Sequence, residues 1–209
     1  MQRDIEEKKI LRDFVRSDLP KGIEATCYEL AKSLILFGND IDEGSARSKL
    51  RENISARTNG TKLKIETEKH NRTDLTVALK NSPEASIYVE IKTAIKNSEK
   101  ITTKQVKEDI AKLSIRKLKS NNKRCLFLIF GDPGKFKNLG NELSFVEELF
   151  NAHQGRSNID IDFENTNKER AKQTQLKSMN ISKMRVAPSR RFILPRFAAL
   201  SWWVHSPIE

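Results

Sequence analysis

With 209 residues, 37% apolar and 32% charged, the chain is long enough for one domain with a hydrophobic core and a heavily charged surface. No apolar run approaches the roughly 18 residues of a membrane span, and Met1-Gln2-Arg3-Asp4 lacks the apolar stretch of a secretory signal. The expectation is a cytoplasmic protein with no membrane partner. The formal charge of +11, from 39 Lys and Arg against 28 Asp and Glu, favours a polyanionic partner, because neutralising phosphates releases condensed counterions. The segment from Lys168 to Arg196 concentrates that charge: Glu169 is its only acid, against Lys183, Arg185, Arg190, Arg191 and further basic residues. These four are the candidate phosphate contacts. Cys27 and Cys125 sit among apolar residues and read as two buried thiols.

Residues 1–17 read as a charged helix, punctuated by Pro20 and Gly22. Residues 23–37 repeat apolar side chains at helical spacing and stop at Gly38-Asn39. A third helix opens at Asp42-Glu43-Gly44-Ser45 and runs through Ala46, Leu50 and Ile54. Asn59-Gly60 then marks a turn that requires positive φ. From there the period changes to 2. Lys62–Glu66 is one strand and Asp74–Leu79 a second. Asn81–Glu84 reads as a turn before the third strand, Ser86–Lys92. A helix over about 102–119 carries Val106, Ile110, Leu113 and Leu118 inward. The apolar run Cys125–Phe130 suits a strand covered on both faces, ended by Gly131-Asp132-Pro133-Gly134. Ser144–Ala152 reads as helix, Ile159–Phe163 alternates like an edge strand, and Asn165–Asn180 is polar. Phe192–Val204, with Trp202 and Trp203, is apolar enough to dock on the body or on a second subunit. Strand, helix and buried strand in succession predict an α/β fold, a central mixed sheet flanked by helices.

The acids fall where chemistry is possible. Glu90 and Lys92 are two apart on one strand and project from the same face, while Ile91 points into the core. A hairpin brings Asp74, at the start of the neighbouring strand, within reach of Glu90. Two carboxylates there would hold a hard cation through oxygen ligands. The Lys92 ammonium beside them would orient or deprotonate a water, or steady charge developing on phosphorus.

With Asp74, Glu90-x-Lys92 and this order of elements, the stretch from Glu43 to Asp132 resembles the core of the PD-(D/E)XK nucleases, the restriction-endonuclease-like fold. Thr73 stands where the motif's name has proline. The resemblance implies that Asp74, Glu90 and Lys92 are catalytic, and that a helix-borne acid joins Asp74 and Glu90 on the metal. Glu43 is the best-placed match, with Glu29 in reserve. It also implies a polar side chain on the helix after the lysine strand, Gln105 or Lys107, touching nucleic acid. Mg²⁺ is the expected cofactor, with Mn²⁺ able to substitute.

Residues 1–42 would then be a helical N-terminal segment and 43–140 the nuclease core. Residues 141–209 would be a basic and apolar extension packing on the core or a partner. The expected activity is metal-dependent hydrolysis of DNA by a homodimeric endonuclease of restriction or defence type. A structure-specific repair or junction nuclease is the alternative, as is a non-catalytic nucleic-acid-binding protein on the same scaffold. Weaker signals are Glu68 and His70 near the site, and Trp202 and Trp203 as stacking platforms.

Overall fold

A computed structural model describes residues 2–37, 41–67, 73–94, 103–118, 123–132, 151, 153–162, 183–194 and 197–205. Helix α1 (Gln2–Asp13) runs through a π-helical turn (Phe14–Asp18) into α2 (Leu19–Phe37), and α3 spans Glu43–Thr58. Strands β1 (Leu63–Thr67), β2 (Leu75–Leu79) and β3 (Ser82–Ala94) follow, then α4 (Thr103–Leu118) and β4 (Arg124–Gly131). The remaining strands are β5 (Ile159–Asp162), β6 (Lys183–Leu194) and β7 (Phe197–Val204). Among the described residues they form one sheet of seven strands in the order β1-β2-β3-β4-β7-β6-β5. The sheet is mixed, because β3 and β4 pair in parallel and all other neighbours pair antiparallel.

The entry to α2 differs from the sequence reading. Pro20 and Gly22 do not break the helical path. Proline cannot donate to the preceding turn, and the backbone accommodates this by widening just before it, where the Leu19 N–H donates to the Phe14 carbonyl. Gly22 lies inside α2 where the helix meets α3: a Cβ there would stand 2.8 Å from Ile54 Cγ1. The glycine lets the two helices approach. Farther along, Asp42 caps α3 by accepting from the Ser45 N–H at 2.6 Å, and Gly60 takes the expected positive φ of 79°.

A second difference concerns the β2–β3 hairpin. The third strand begins at Ser82 rather than Ser86, and the turn falls at Lys80-Asn81. Leu79 pairs with Ser82 but Ala78 with Ser86, so the intervening residues form a bulge. Pro83 fits there because β4 starts opposite Ile87, leaving no ladder bond on that side for its missing N–H to break.

Two apolar layers sandwich the sheet. Leu126, Leu128 and Phe130 of β4 pack with α2, α3 and the inner residues of β2 and β3. Cys125, Phe127 and Ile129 pack with Val106, Ile110 and Leu113 of α4. Burial on both faces explains why β4 reads as an unbroken apolar run. Phe197–Val204 forms β7, an interior strand between β4 and β6, and Ile159–Asp162 is the edge strand its alternation suggested. No helix among the described residues is long and apolar enough to cross a membrane. Of the helix read over Ser144–Ala152 only Asn151 is described, and it is helical; the polar stretch Asn165–Asn180 lies outside the described residues, as do Glu68 and His70.

Trp202 is 1% exposed, with Phe127 at 6.0 Å and the edge of His153 at 5.1 Å between ring centroids. This excludes base stacking for Trp202 in the folded chain. Trp202→Ala should cost about 3–5 kcal/mol, the range for emptying a core aromatic site. Urea unfolding would measure it, and a loss below about 1 kcal/mol would mean that β7 does not anchor the core.

Candidate active site

Strand β3 is longer than its neighbour. Strand β2 starts at Leu75, opposite Val89, so beyond Val89 the β2-facing edge of β3 pairs with no strand among the described residues. Asp74 fills the gap. Its Oδ2 accepts from the Ile91 N–H at 2.7 Å, while its Oδ1 accepts from Arg47 Nη1 at 3.3 Å. The carboxylate is thereby fixed beside Glu90 and Lys92, as the hairpin argument required.

Helices from both faces close on this strand end. On α3, Glu43 and Arg47 are four residues apart and share a face. Glu43 Oε1 accepts from Lys92 Nζ at 2.9 Å, and Arg47 holds Asp74. On α4, Asp109 and Lys112 are three apart and also share a face. Asp109 Oδ2 lies 3.0 Å from Lys92 Nζ, and Lys112 Nζ lies 2.7 Å from Glu90 Oε1. An i, i+2 pair on the strand thus meets an i, i+3 pair of opposite sign on the helix.

Burial sets the electrostatics. Glu90 is 2% exposed. That burial, reinforced by the charges of Asp74 and Asp109, outweighs Lys112 and pushes its carboxyl up to about 8. Burial also raises Asp109, against the opposing pull of Lys92 and Lys112. Glu43 is raised by burial too, against its contact with Lys92. Lys92 behaves oppositely. Burial alone would lower it, but Asp109 and Glu43 more than compensate and hold it above the ordinary lysine range. It is therefore a fixed ammonium at any working pH.

The donor chemistry suits a hard cation. Glu90 Oε1 and Asp109 Oδ2 are buried with no aligned hydrogen-bond donor, and all four acids offer oxygen ligands. As the side chains stand, no three acidic, histidine or cysteine groups among the described residues are close enough together to hold an ion.

The structure brings together Asp74, Glu90, Lys92 and Glu43. It leaves Glu29 apart, paired with Lys49 at 3.6 Å. Gln105 is exposed on α4, one turn before Asp109. Arg47, Asp109 and Lys112 were missed. A signal existed for the last two: each immediately precedes an inward residue of α4, Ile110 and Leu113, which places both charges on one margin of the buried stripe.

The basic candidates lie on β6. Arg185 makes a two-pronged contact with Asp160 of β5, at 2.9 and 3.2 Å. Arg190 and Arg191 are exposed. Lys183 opens the strand opposite Asp162. Ladder registers link Lys92 to Ile129, Ile129 to Leu200, and Leu200 to Arg191. Residues directly opposite point to the same face, so Arg191 and Lys92 share a row and a face, three strands apart, or roughly 14 Å. Against this geometry, no family model, curated protein or solved structure matches the chain.

A carboxyl raised in the fold stays protonated there after its unfolded counterpart has ionised. Between the unfolded value of 4.5 and the folded value of about 8 for Glu90, the folded state binds more protons. Its contribution to stability is complete below that window and is lost as pH rises through it. In metal-free buffer the urea midpoint should fall from pH 5 to pH 8. The contribution of Glu90 to that fall is at most about 1.4 kcal/mol per pH unit. Glu90→Gln should flatten the slope and be relatively more stable at pH 8. A parallel pH profile for the two proteins would rule out a raised Glu90.

Proposed function

We propose that the chain is a divalent-metal-dependent DNA endonuclease of the PD-(D/E)XK type, hydrolysing phosphodiester bonds in a restriction or defence role. The observation that carries this is the meeting of Asp74, Glu90 and Lys92 at one strand end, with helix-borne acids gripping the lysine. The succession α3, β1, β2 with Asp74, β3 with Glu90-x-Lys92, α4 and parallel β4 supports it. So does the excess of positive charge on the chain.

Asp74 and Glu90, with Glu43 as the helix-borne acid, would hold Mg²⁺ or Mn²⁺. The ion would supply Lewis-acid polarisation of a phosphate oxygen and a more acidic water. The chain's own contribution is positioning and charge. Asp74 is fixed by the Ile91 amide and cannot rotate without losing that bond. Lys92, held by Glu43 and Asp109, presents a permanent positive charge to the pentavalent phosphorus and orients water through its N–H groups. Arg191, on the same face and row, would take a neighbouring phosphate. Action as a homodimer, which gives two sites for two strands, belongs to the same proposal.

Cleavage of plasmid and of labelled single- and double-stranded DNA in Mg²⁺ and Mn²⁺ tests the reading. Lys92→Ala should lower single-turnover cleavage at least about a hundredfold, the scale for one electrostatic or acid-base catalyst, and leave DNA binding in Ca²⁺ intact. Asp74→Ala should abolish cleavage. A wild type that binds DNA but cuts no substrate would favour the non-catalytic binder, and a Lys92→Ala protein as active as wild type would displace the assigned site. In a separate measurement, Arg191→Ala should reduce the slope of log affinity against log salt by about 0.9 for each phosphate that the arginine neutralises. An unchanged slope would move the DNA-binding face off β6.

A further inference from the structure

We infer that Lys112 is a resident cation occupying the place of the metal, so that ion binding at this site is an exchange in which the ammonium leaves Glu90. The inference rests on the metal-site reading above and adds a residue that sets the site's affinity.

Three observations lead to it. First, Lys112 Nζ stands 2.7 Å from Glu90 Oε1, and that oxygen is buried with no aligned hydrogen-bond donor. Any ion taking Glu90 through this oxygen must contend with the ammonium. Second, the two lysines are held unequally. Lys92 is gripped by Glu43 and Asp109 and its side chain is 14% exposed. Lys112 touches Glu90 alone among the described carboxylates, its side chain is 22% exposed, and its long stem can swing the charge into water. Third, the formal charges favour the exchange. With all four acids ionised, Asp74, Glu90, Glu43 and Asp109 face Arg47, Lys92 and Lys112, leaving the cluster one negative charge in excess. Replacing one ammonium by a divalent ion brings it to neutrality.

The ammonium therefore offsets part of the cost of ionising buried Glu90 in the metal-free chain, because an unpaired buried carboxylate is costly. It also raises the metal concentration at which the site fills. The same residue stabilises one state and competes with the other.

Mn²⁺ binding to the full chain, followed by the electron paramagnetic resonance signal of the free ion, tests this without reference to cleavage. Lys112→Met should bind Mn²⁺ about tenfold more tightly than wild type, since it removes a like charge at contact distance. Lys112→Arg keeps the charge and should bind no more tightly than wild type. Glu90→Gln should weaken binding in both the wild-type and Lys112→Met backgrounds. Thermal melts would establish that each variant is folded, and Lys112→Gln replaces Lys112→Met should the apolar change prevent folding. Equal affinity of Lys112→Met and wild type, with binding still weakened in Glu90→Gln, would overturn the exchange and leave the metal site standing. Tighter binding by Lys112→Arg would overturn it as well. Absence of any Mn²⁺ binding sensitive to Glu90→Gln, in both backgrounds, would remove the metal site and the exchange together.

Discussion

Strand β3 runs past the point where β2 begins, and the hydrogen bond from the Ile91 N–H to Asp74 Oδ2 is where that mismatch is resolved. A buried amide without a partner costs roughly as much as a missing hydrogen bond. The sequence meets that demand with a carboxylate rather than another strand. A carboxylate has a second oxygen, and here it is free to meet Arg47 or a cation. The structural need at the end of the hairpin thus places an acid next to Glu90, and the rest of the site is assembled around that placement. Helix α3 reaches the same strand end because its cap at Asp42 starts it there, turning Glu43 and Arg47 toward β3.

Packing this many charges around one strand end is costly, and the arrangement shows how the cost is contained. Glu90 is buried against α4, Lys92 between α3 and α4, and each meets a partner of opposite sign from a helix. The raised carboxyls of Glu90, Asp109 and Glu43 show that the pairing is incomplete: burial makes ionising these acids costly in the metal-free fold. An apolar replacement for Glu90 would pack at this depth with less strain. Retaining a carboxyl in such a place is understandable where the acid has work to do once the local charge is balanced, which ties this electrostatic strain to the proposed chemistry.

Much of this was legible in the sequence because period and spacing act locally. Alternation in β3 fixes Glu90 and Lys92 on one face, the apolar run of β4 reports two covered faces, and Asp42-x-x-Ser45 reports a helix start. The misreadings came where tertiary context outvoted a local signal. Pro83 suggested a turn but sits in a bulge, at a position where β4 has not yet begun and no ladder bond is broken. Pro20 and Gly22 suggested a break, but a π-helical turn absorbs the proline and close packing against Ile54 uses the glycine. Asp109 and Lys112 could be placed on the margin of the buried stripe of α4, but a charge there looks the same whether it faces water or a buried charge on a neighbouring strand. Only the parallel placement of β4 beside β3, which lays α4 across Glu90 and Lys92, distinguishes the two cases.

The C-terminal strands show how core and function can share one element. Phe197, Leu200 and Trp202 made the segment look like a docking patch, and the basic residues before it looked like phosphate contacts. In the sheet they are one hairpin, with β7 filling the gap beside β4 and carrying β6 on its other edge. The ladder from Lys92 through Ile129 and Leu200 to Arg191 is therefore rigid, since each link is a backbone pairing inside one sheet. Burying Leu200 on the α4 face fixes which face Arg191 takes, because a one-residue slip would turn the side chains of β6 to the opposite side. On the proposed reading, the distance between a bound phosphate and the reacting one is thus set by the same apolar packing that holds the core together.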